Sequence, residues 1–269
     1  MNIFRSIMAL LQSEMERPKI YGLFHIIWLI LSLVLVIYFI INKKYSEKKL
    51  KIILGVYGIG SFVLELLKQI IWSYDLGTST WHYNWYAAPF QLCTMPLYIS
   101  LIALFLKKGK LRDSLLSFVA FIAILGSIAT ALYPESCFVR TILVDIHTMY
   151  LHFGSLVLAI YLKVSGEVDT SFKNLISGFK VFLVLAGIAL ILNISFYNWG
   201  ILNGETFNMF YISPYFTSSL PIFDIIYDKV PYILFLIIYL VAIFGGSIII
   251  LLIDKLIYKT KLALTIDKC

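Results

Sequence analysis

Seven stretches of almost unbroken apolar residues, roughly 20–42, 51–73, 87–106, 114–133, 143–162, 179–198 and 230–254, constrain this 269-residue chain more than anything else in it. Each is close to the ~20 helical residues needed to cross a ~30 Å hydrocarbon core. Inside such a core every backbone N–H and C=O must be satisfied within a helix or a closed barrel. Barrel strands alternate polar and apolar residues over about ten positions, and these stretches do not alternate. The expected fold class is therefore an all-α membrane protein: seven transmembrane helices in one bundle, a single domain over residues 1–269. Composition agrees, since a chain that is 61% hydrophobic and 14% charged, with mean hydropathy +0.90, does not stay soluble.

The net charge of +7 reports topology and not affinity for nucleic acid. The loops at 43–51, 107–113 and 163–180 and the tail from 255 carry five, four, three and four Lys and Arg residues. The N-terminal segment and the loops at 74–86, 134–142 and 199–229 carry three, none, one and one. The positive-inside rule then places the N-terminus outside and the C-terminus in the cytoplasm, as a multi-pass protein of the cell membrane. Residues 1–19, with Ile3, Phe4, Ile7, Met8, Leu10 and Leu11, read as an interfacial amphipathic helix and lack the pattern of a cleavable signal. Cys93, Cys137 and Cys269 form no disulfide framework, and no CxxC or His-rich spacing points to a metal or other cofactor. The basic first loop, from Lys43 to Lys51, suits contact with anionic lipid.

Polar residues inside the spans fall on single helical faces. Tyr21, His25, Trp28 and Ser32 share one face of the first span, and Ser61, Glu65, Lys68, Gln69 and Trp72 one stripe of the second. Gly55, Gly58 and Gly60 suit close helix packing. Glu65 and Lys68 at (i, i+3) neutralise each other, where an isolated charge costs at least ~2.5 kcal/mol. In the fifth span Asp145, Thr148, His152 and Ser155 form one stripe, with Asp145 expected at the solvated interface; His147 lies about 140° around the helix from His152 at ~100° per residue. The sixth span carries Asn193. By the expected topology His25, Glu65, Lys68, Gln69, Gln91, Cys93, His147, His152 and Asn193 all lie in the outer half, and the inner halves offer only Gly, Ser and Tyr. Together they describe a polar cavity reaching halfway into the membrane and open outward. The long aromatic loop 199–229, with Asn208 at its centre, is placed to act as a lid.

The densest mix of aromatic, polar and reactive groups is Trp81–Tyr98, a polar aromatic loop running into the third span. Cys93 falls a little over one turn below the surface, at ~1.5 Å per residue, and Pro96 withholds the N–H that the Leu92 carbonyl would receive. A thiol there is either a small packing residue or a nucleophile. Glu65 with Lys68 is either a structural ion pair or part of the chemistry, His25 and His147 either helix contacts or supporting groups, and His82 a member of the aromatic surface.

Pro89-Phe-Gln-Leu-Cys93, His152-Phe-Gly, Asn208-Met-Phe-Tyr with Ser213-Pro214, and Asp228-Lys-Val-Pro231-Tyr, in that order, resemble the YwaF family of bacterial integral membrane proteins over nearly the whole chain. That family is similar to an animal transmembrane acyltransferase that moves fatty acyl chains between phospholipids. The resemblance implies a catalytic pair, Cys93 and His152. Phe153 stands after His152 where the family pattern has Gly, so His147 remains the alternative imidazole. The implied activity is a lipid acyltransferase or thiol-dependent lipid hydrolase, acting on a phospholipid or fatty-acyl lipid whose ester lies at the depth of Cys93. Glu65, Lys68, Gln69, Gln91, His147, Asn193 and Asn208 are expected to support the site or bind substrate, with Gln91, Asn208 or a backbone N–H between Pro89 and Pro96 donating to the oxyanion. Trp81, Trp85 and Tyr86 are expected at headgroup level. The alternative from the residues alone is a non-enzymatic seven-helix receptor or ligand-binding protein, with a transporter the less economical reading because transport sites carry polar groups on both sides of the midplane.

Overall fold

A computed structural model describes residues 3–266; Cys269 lies outside them. Among the described residues, six helices are long and apolar enough to cross a membrane. They are α2 (Leu23–Ile41), α3 (Glu47–Ser73), a composite helix over 110–132, α7 (Ile142–Val164), α8 (Phe172–Asn198) and α10 (Tyr232–Ile266). A short amphipathic helix, α1 (Ile3–Leu11), precedes them, with Met8 buried and Ile3, Phe4, Ile7 and Leu10 exposed.

The stretch expected to be the third span is helical only in its second half, α4 (Met95–Phe105). Two prolines decide this. Ala88, ahead of Pro89, is extended at φ −49° and ψ 136°, as the proline ring requires of its predecessor. Pro96 sits in the first turn of α4, where its missing N–H has no partner to lose. Residues 88–94 therefore cross as irregular backbone. Cys93 lies ahead of the helix and not on a helical face shared with Pro96 and Ser100.

The composite helix consists of α5 (Lys110–Phe118), a π-helical turn over Val119–Ala123, and α6 (Ile124–Leu132). All five residues of the π turn are buried, which puts it in the middle of the bundle. α5 packs on α8, α3 on α4 and α7, and α2 and α6 on α7. Lipid tails are as apolar as the helices, so association here depends on close backbone approach and polar contacts. Gly154 of α7 is one such point: a Cβ there would meet the Tyr57 ring at 2.7 Å. Gly178 of α8 is tighter, because its Cβ would lie 2.6–2.7 Å from backbone atoms of Ser117 and Phe118, which cannot turn aside. Gly178→Ala is expected to push α8 off α5 and lower stability by about 1–3 kcal/mol, read as a drop in the unfolding temperature of the detergent-solubilised protein.

Contacts gather the connections into two groups at opposite ends. At the basic end Arg112 reaches Glu47 and Glu167, and Lys108 reaches Glu167, joining the α2–α3, α4–α5 and α7–α8 connections. At the aromatic end Gln12 Nε2 donates to the carbonyls of Ile71 (2.9 Å) and Tyr74 (2.7 Å), and Arg17 donates to those of Phe138 (3.0 Å) and Glu135 (2.7 Å). A two-stranded hairpin, β1 (Tyr74–Asp75) with β2 (Thr80–Trp81), and the 199–231 connection, which holds α9 (Phe223–Tyr227), complete that end. The loops separated by charge counting thus lie at separate ends.

Two ion-paired groups correct the expectation that the basic halves hold only Gly, Ser and Tyr. Lys163 of α7 pairs with Asp254 of α10 at 2.8 Å, and Arg112 has a fully buried side chain. The helices run past their apolar stretches, so charges counted as loop residues are inside the bundle.

Candidate functional site

Glu65, one of the few carboxylates buried in the bundle, organises the polar residues of the aromatic half. Oε1 lies 2.7 Å from Lys68 Nζ and accepts from Gln69 Nε2 at 2.7 Å. Oε2 lies 2.9 Å from His147 Nε2 on α7, at an angle outside hydrogen-bond geometry. The stripe expected along α3 is therefore real, and its partner across the bundle is His147. A carboxylate this deep keeps its charge only beside cations, and Lys68 is within reach one turn away. Lys68 is itself set 5.8 Å over the Trp72 ring. His147 is buried, and among the described residues its other nitrogen, Nδ1, has no hydrogen-bond partner. Gln69 Nε2 also donates to the Ala87 carbonyl at 2.6 Å, which ties this set to the irregular stretch leading to Cys93.

Cys93 is half-buried in a turn built by its neighbours. Thr94 Oγ1 donates to the Gln91 carbonyl (2.8 Å) and accepts from the Gln91 N–H (3.0 Å), and the Tyr98 hydroxyl donates to the Pro89 carbonyl (2.8 Å). His152 lies on another face of α7 and is buried. Among the described residues no hydrogen bond joins Cys93 to His152. The structure gathers Glu65, Lys68, Gln69 and His147 into contact.

The three amides Gln91, Asn193 and Asn208 do one job between them. Asn193 Nδ2 donates to the Met209 carbonyl (3.0 Å) and its Oδ1 accepts from the Met209 N–H (2.7 Å). Gln91 Nε2 donates to the Asn208 carbonyl (3.0 Å) and its Oε1 accepts from the Phe210 N–H (2.9 Å). The Asn208 side chain accepts from the Ser213 N–H (2.8 Å) and donates to the carbonyls of Phe216 and Thr217. They hold Phe207–Ser213 as irregular backbone, and Phe207, Met209, Phe210, Ile212 and Ser213 are all buried. Unpaired backbone at this depth is tolerated only when protein groups satisfy it. The 199–229 loop, expected as a lid over a half-deep cavity, instead seats its middle, residues 207–213, as a plug among the helices, where side-chain amides complete its hydrogen bonds. Phe210 and Tyr211, both at φ 57°, are two successive non-glycine residues in the left-handed region, held there by these clamps.

An open cavity remains at the mouth, about 490 Å³, bordered by Trp72, Tyr74, Asp75, His82, Tyr86 and Glu205. Glu205, which sequence reasoning passed over, ties the hairpin loop to the plug: Oε1 contacts His82 Nε2, and Oε2 accepts from the Trp85 N–H at 2.7 Å. The N–H groups of Gly77 and Thr78 hold the Asp75 carboxyl below the ordinary carboxylate range. Two further polar residues fasten neighbouring backbone. His25 accepts from the Tyr21 N–H through Nδ1 (3.1 Å) and meets the Ala131 carbonyl through Nε2 (3.1 Å). Asp145 is fully buried, not solvated at the interface, because Oδ1 accepts from the Val139 N–H at 2.9 Å and fastens the loop before α7.

A bundle of membrane-crossing helices enclosing an ion-paired, histidine-bearing set beside a cysteine on irregular backbone defines a multi-pass integral membrane protein with a buried polar site. The chain belongs to the TMEM164 family, whose model matches residues 20–252. That match covers all the residues of the site. No curated protein and no solved structure matches the chain.

Proposed function

We propose that this protein transfers or hydrolyses an acyl chain of a membrane lipid, with Cys93 as nucleophile and a histidine of α7 as its proton acceptor, on the outward-facing side of a seven-crossing bundle. The observation that supports this reading is a half-buried thiol on non-helical backbone whose leading stretch is tied, through the Ala87 carbonyl, to Gln69 and so to the Glu65–Lys68 pair that His147 approaches. The acyltransferase relatives of the YwaF family, which this chain resembles, support the same assignment.

In the reaction the thiol proton passes to the imidazole and the thiolate sulfur attacks the ester carbonyl carbon. The oxyanion is received by backbone N–H groups of the turn before α4 or by the second amide hydrogen of Gln91, whose first goes to the Asn208 carbonyl, whereas both amide hydrogens of Asn208 are given to carbonyls. Collapse breaks the ester C–O bond, and the lysolipid alkoxide leaves with the imidazolium proton. The thioester is resolved by a lysolipid hydroxyl, giving transfer, or by water, giving hydrolysis. The ion-paired basic end, where Arg112 joins Glu47 and Glu167, favours a site reached from one side over a transport path.

His152 is the acceptor that the resemblance names. His147 is the second reading, favoured by its 2.9 Å approach to Glu65, the arrangement by which a carboxylate orients and stabilises an imidazolium. Separate His152→Gln and His147→Gln proteins, reconstituted in phospholipid vesicles, are compared for acyl exchange and for the pH dependence of thiol alkylation. Loss of the base is expected to slow exchange by about 10²-fold or more and to move the alkylation profile to higher pH. The His152 variant is expected to show both effects; if they fall on His147 instead, the roles are exchanged. If neither variant slows exchange more than a few-fold, the cysteine–histidine mechanism is wrong.

A further inference from the structure

At the basic end, the last turn of α2 and the first turns of α3 frame a groove of about 360 Å³. Tyr38, Phe39 and Ile52 line its apolar part, and Ser46, Lys48 and Lys49 its polar rim. Lys49 is held in place from several directions. Its Nζ donates to the Asn42 carbonyl at 2.5 Å and stands 5.7, 5.3 and 5.5 Å from the ring centroids of Tyr38, Phe39 and Tyr161. Ser46 Oγ accepts from the Lys49 N–H, which leaves its own hydrogen to donate. The nearest acid, Glu47, is turned away to Arg112 at 2.6 and 3.1 Å. Lys48 is exposed, and among the described residues it has no carboxylate within ion-pair distance. The rim is thus a cluster of cations and a hydroxyl whose neighbouring carboxylate is neutralised elsewhere, above an apolar channel that opens to lipid.

We infer that this groove binds one anionic phospholipid, its acyl chain along Tyr38, Phe39 and Ile52 and its phosphate on Lys48, Lys49 and Ser46. Charge complementarity selects the occupant: a basic membrane-surface cluster attracts anionic headgroups, whereas the cationic group of a zwitterionic lipid would be set against the same lysines. The built rim separates this from the general attraction of a basic loop. Lys43 and Lys44, equally basic, lie outside the groove lining, so a diffuse field and a site make different predictions.

Native mass spectrometry of the detergent-solubilised protein, given phosphatidylglycerol or phosphatidylcholine at equal concentration, decides between them. Phosphatidylglycerol is expected to be retained preferentially. Lys48→Gln is expected to weaken that retention roughly fivefold, the effect of one surface lysine on an anionic lipid, and Lys44→Gln much less. Ile52→Trp, which fills the channel without altering charge, is expected to expel the lipid. The inference is overturned if the two lipids are held equally, if Lys44→Gln is as harmful as Lys48→Gln, or if Ile52→Trp leaves retention unchanged. Retention is also measured with Cys93→Ala protein, which keeps the outcome independent of the proposed catalysis.

Discussion

Cys93→Ala protein is expected to lose acyl exchange by at least about 10³-fold while folding normally, because without the sulfur there is no group to carry the acyl chain between donor and acceptor. Folding is spared for local reasons. Cys93 is half-buried in a turn whose hydrogen bonds run through Thr94, Gln91, Pro89 and Tyr98, none of them through the thiol. Removing one sulfur from such a position costs less than ~1.5 kcal/mol by the usual scale of small deletions. The measurement is transfer of a labelled acyl chain between phospholipid and lysophospholipid in vesicles, alongside helix content and unfolding temperature. Cys93→Ser separates roles further: it keeps the shape and a weaker nucleophile, and is expected to retain at most a trace of exchange. Undiminished exchange in the alanine protein would remove the thiol from the chemistry and the proposed function with it.

The second large effect is structural. Arg112→Met is expected to destabilise the protein by about 3–5 kcal/mol, the range found when one member of a buried ion pair is removed. Its side chain has no exposed surface and lies 2.7 Å from Glu167, itself 1% exposed, while Glu47 at 2.6 Å is 45% exposed. Without Arg112, the buried Glu167 keeps, among the described residues, Lys108 at 3.3 Å as its one cation, on a side chain that is 61% exposed. At 2–4 °C per kcal/mol the unfolding temperature should fall by roughly 10 °C. Arg112→Met with Glu167→Met is expected to recover much of the loss, since the isolated buried charge is then gone, and Glu47→Gln alone should matter less because water already reaches that carboxylate. A double variant no more stable than the single one would show that Arg112 acts by packing and not by pairing.

Both effects mark the limit of sequence reasoning. Arg112 reads in sequence as one more loop cation obeying the positive-inside rule, because nothing local distinguishes it from Lys107 or Lys110. Its burial arises from glutamates 65 and 55 positions away, delivered by two other connections. Asn193, Gln91 and Asn208 are polar residues at membrane depth, which signals a partner, and the partner the sequence does not name is the backbone of the plug. The pairing of Glu65 with Lys68 follows from their spacing on one helix, whereas that of Glu65 with His147 depends on which face of α7 meets α3.

By itself the sequence determined that this chain lives in a membrane as helices, where six of those helices broadly run, and that its connections separate into a basic and an aromatic group, because hydrocarbon enforces backbone hydrogen bonding within apolar stretches and most charge collects at the ends. It also showed which side chains are too polar to face lipid. Only the tertiary structure decided that Cys93 sits on irregular backbone between Pro89 and α4, that the longest loop fills the bundle, and that Arg112 is buried. These outcomes rest on hydrogen bonds and ion pairs between residues far apart in the chain, and periodicity carries no record of which distant backbone or carboxylate a polar side chain will meet.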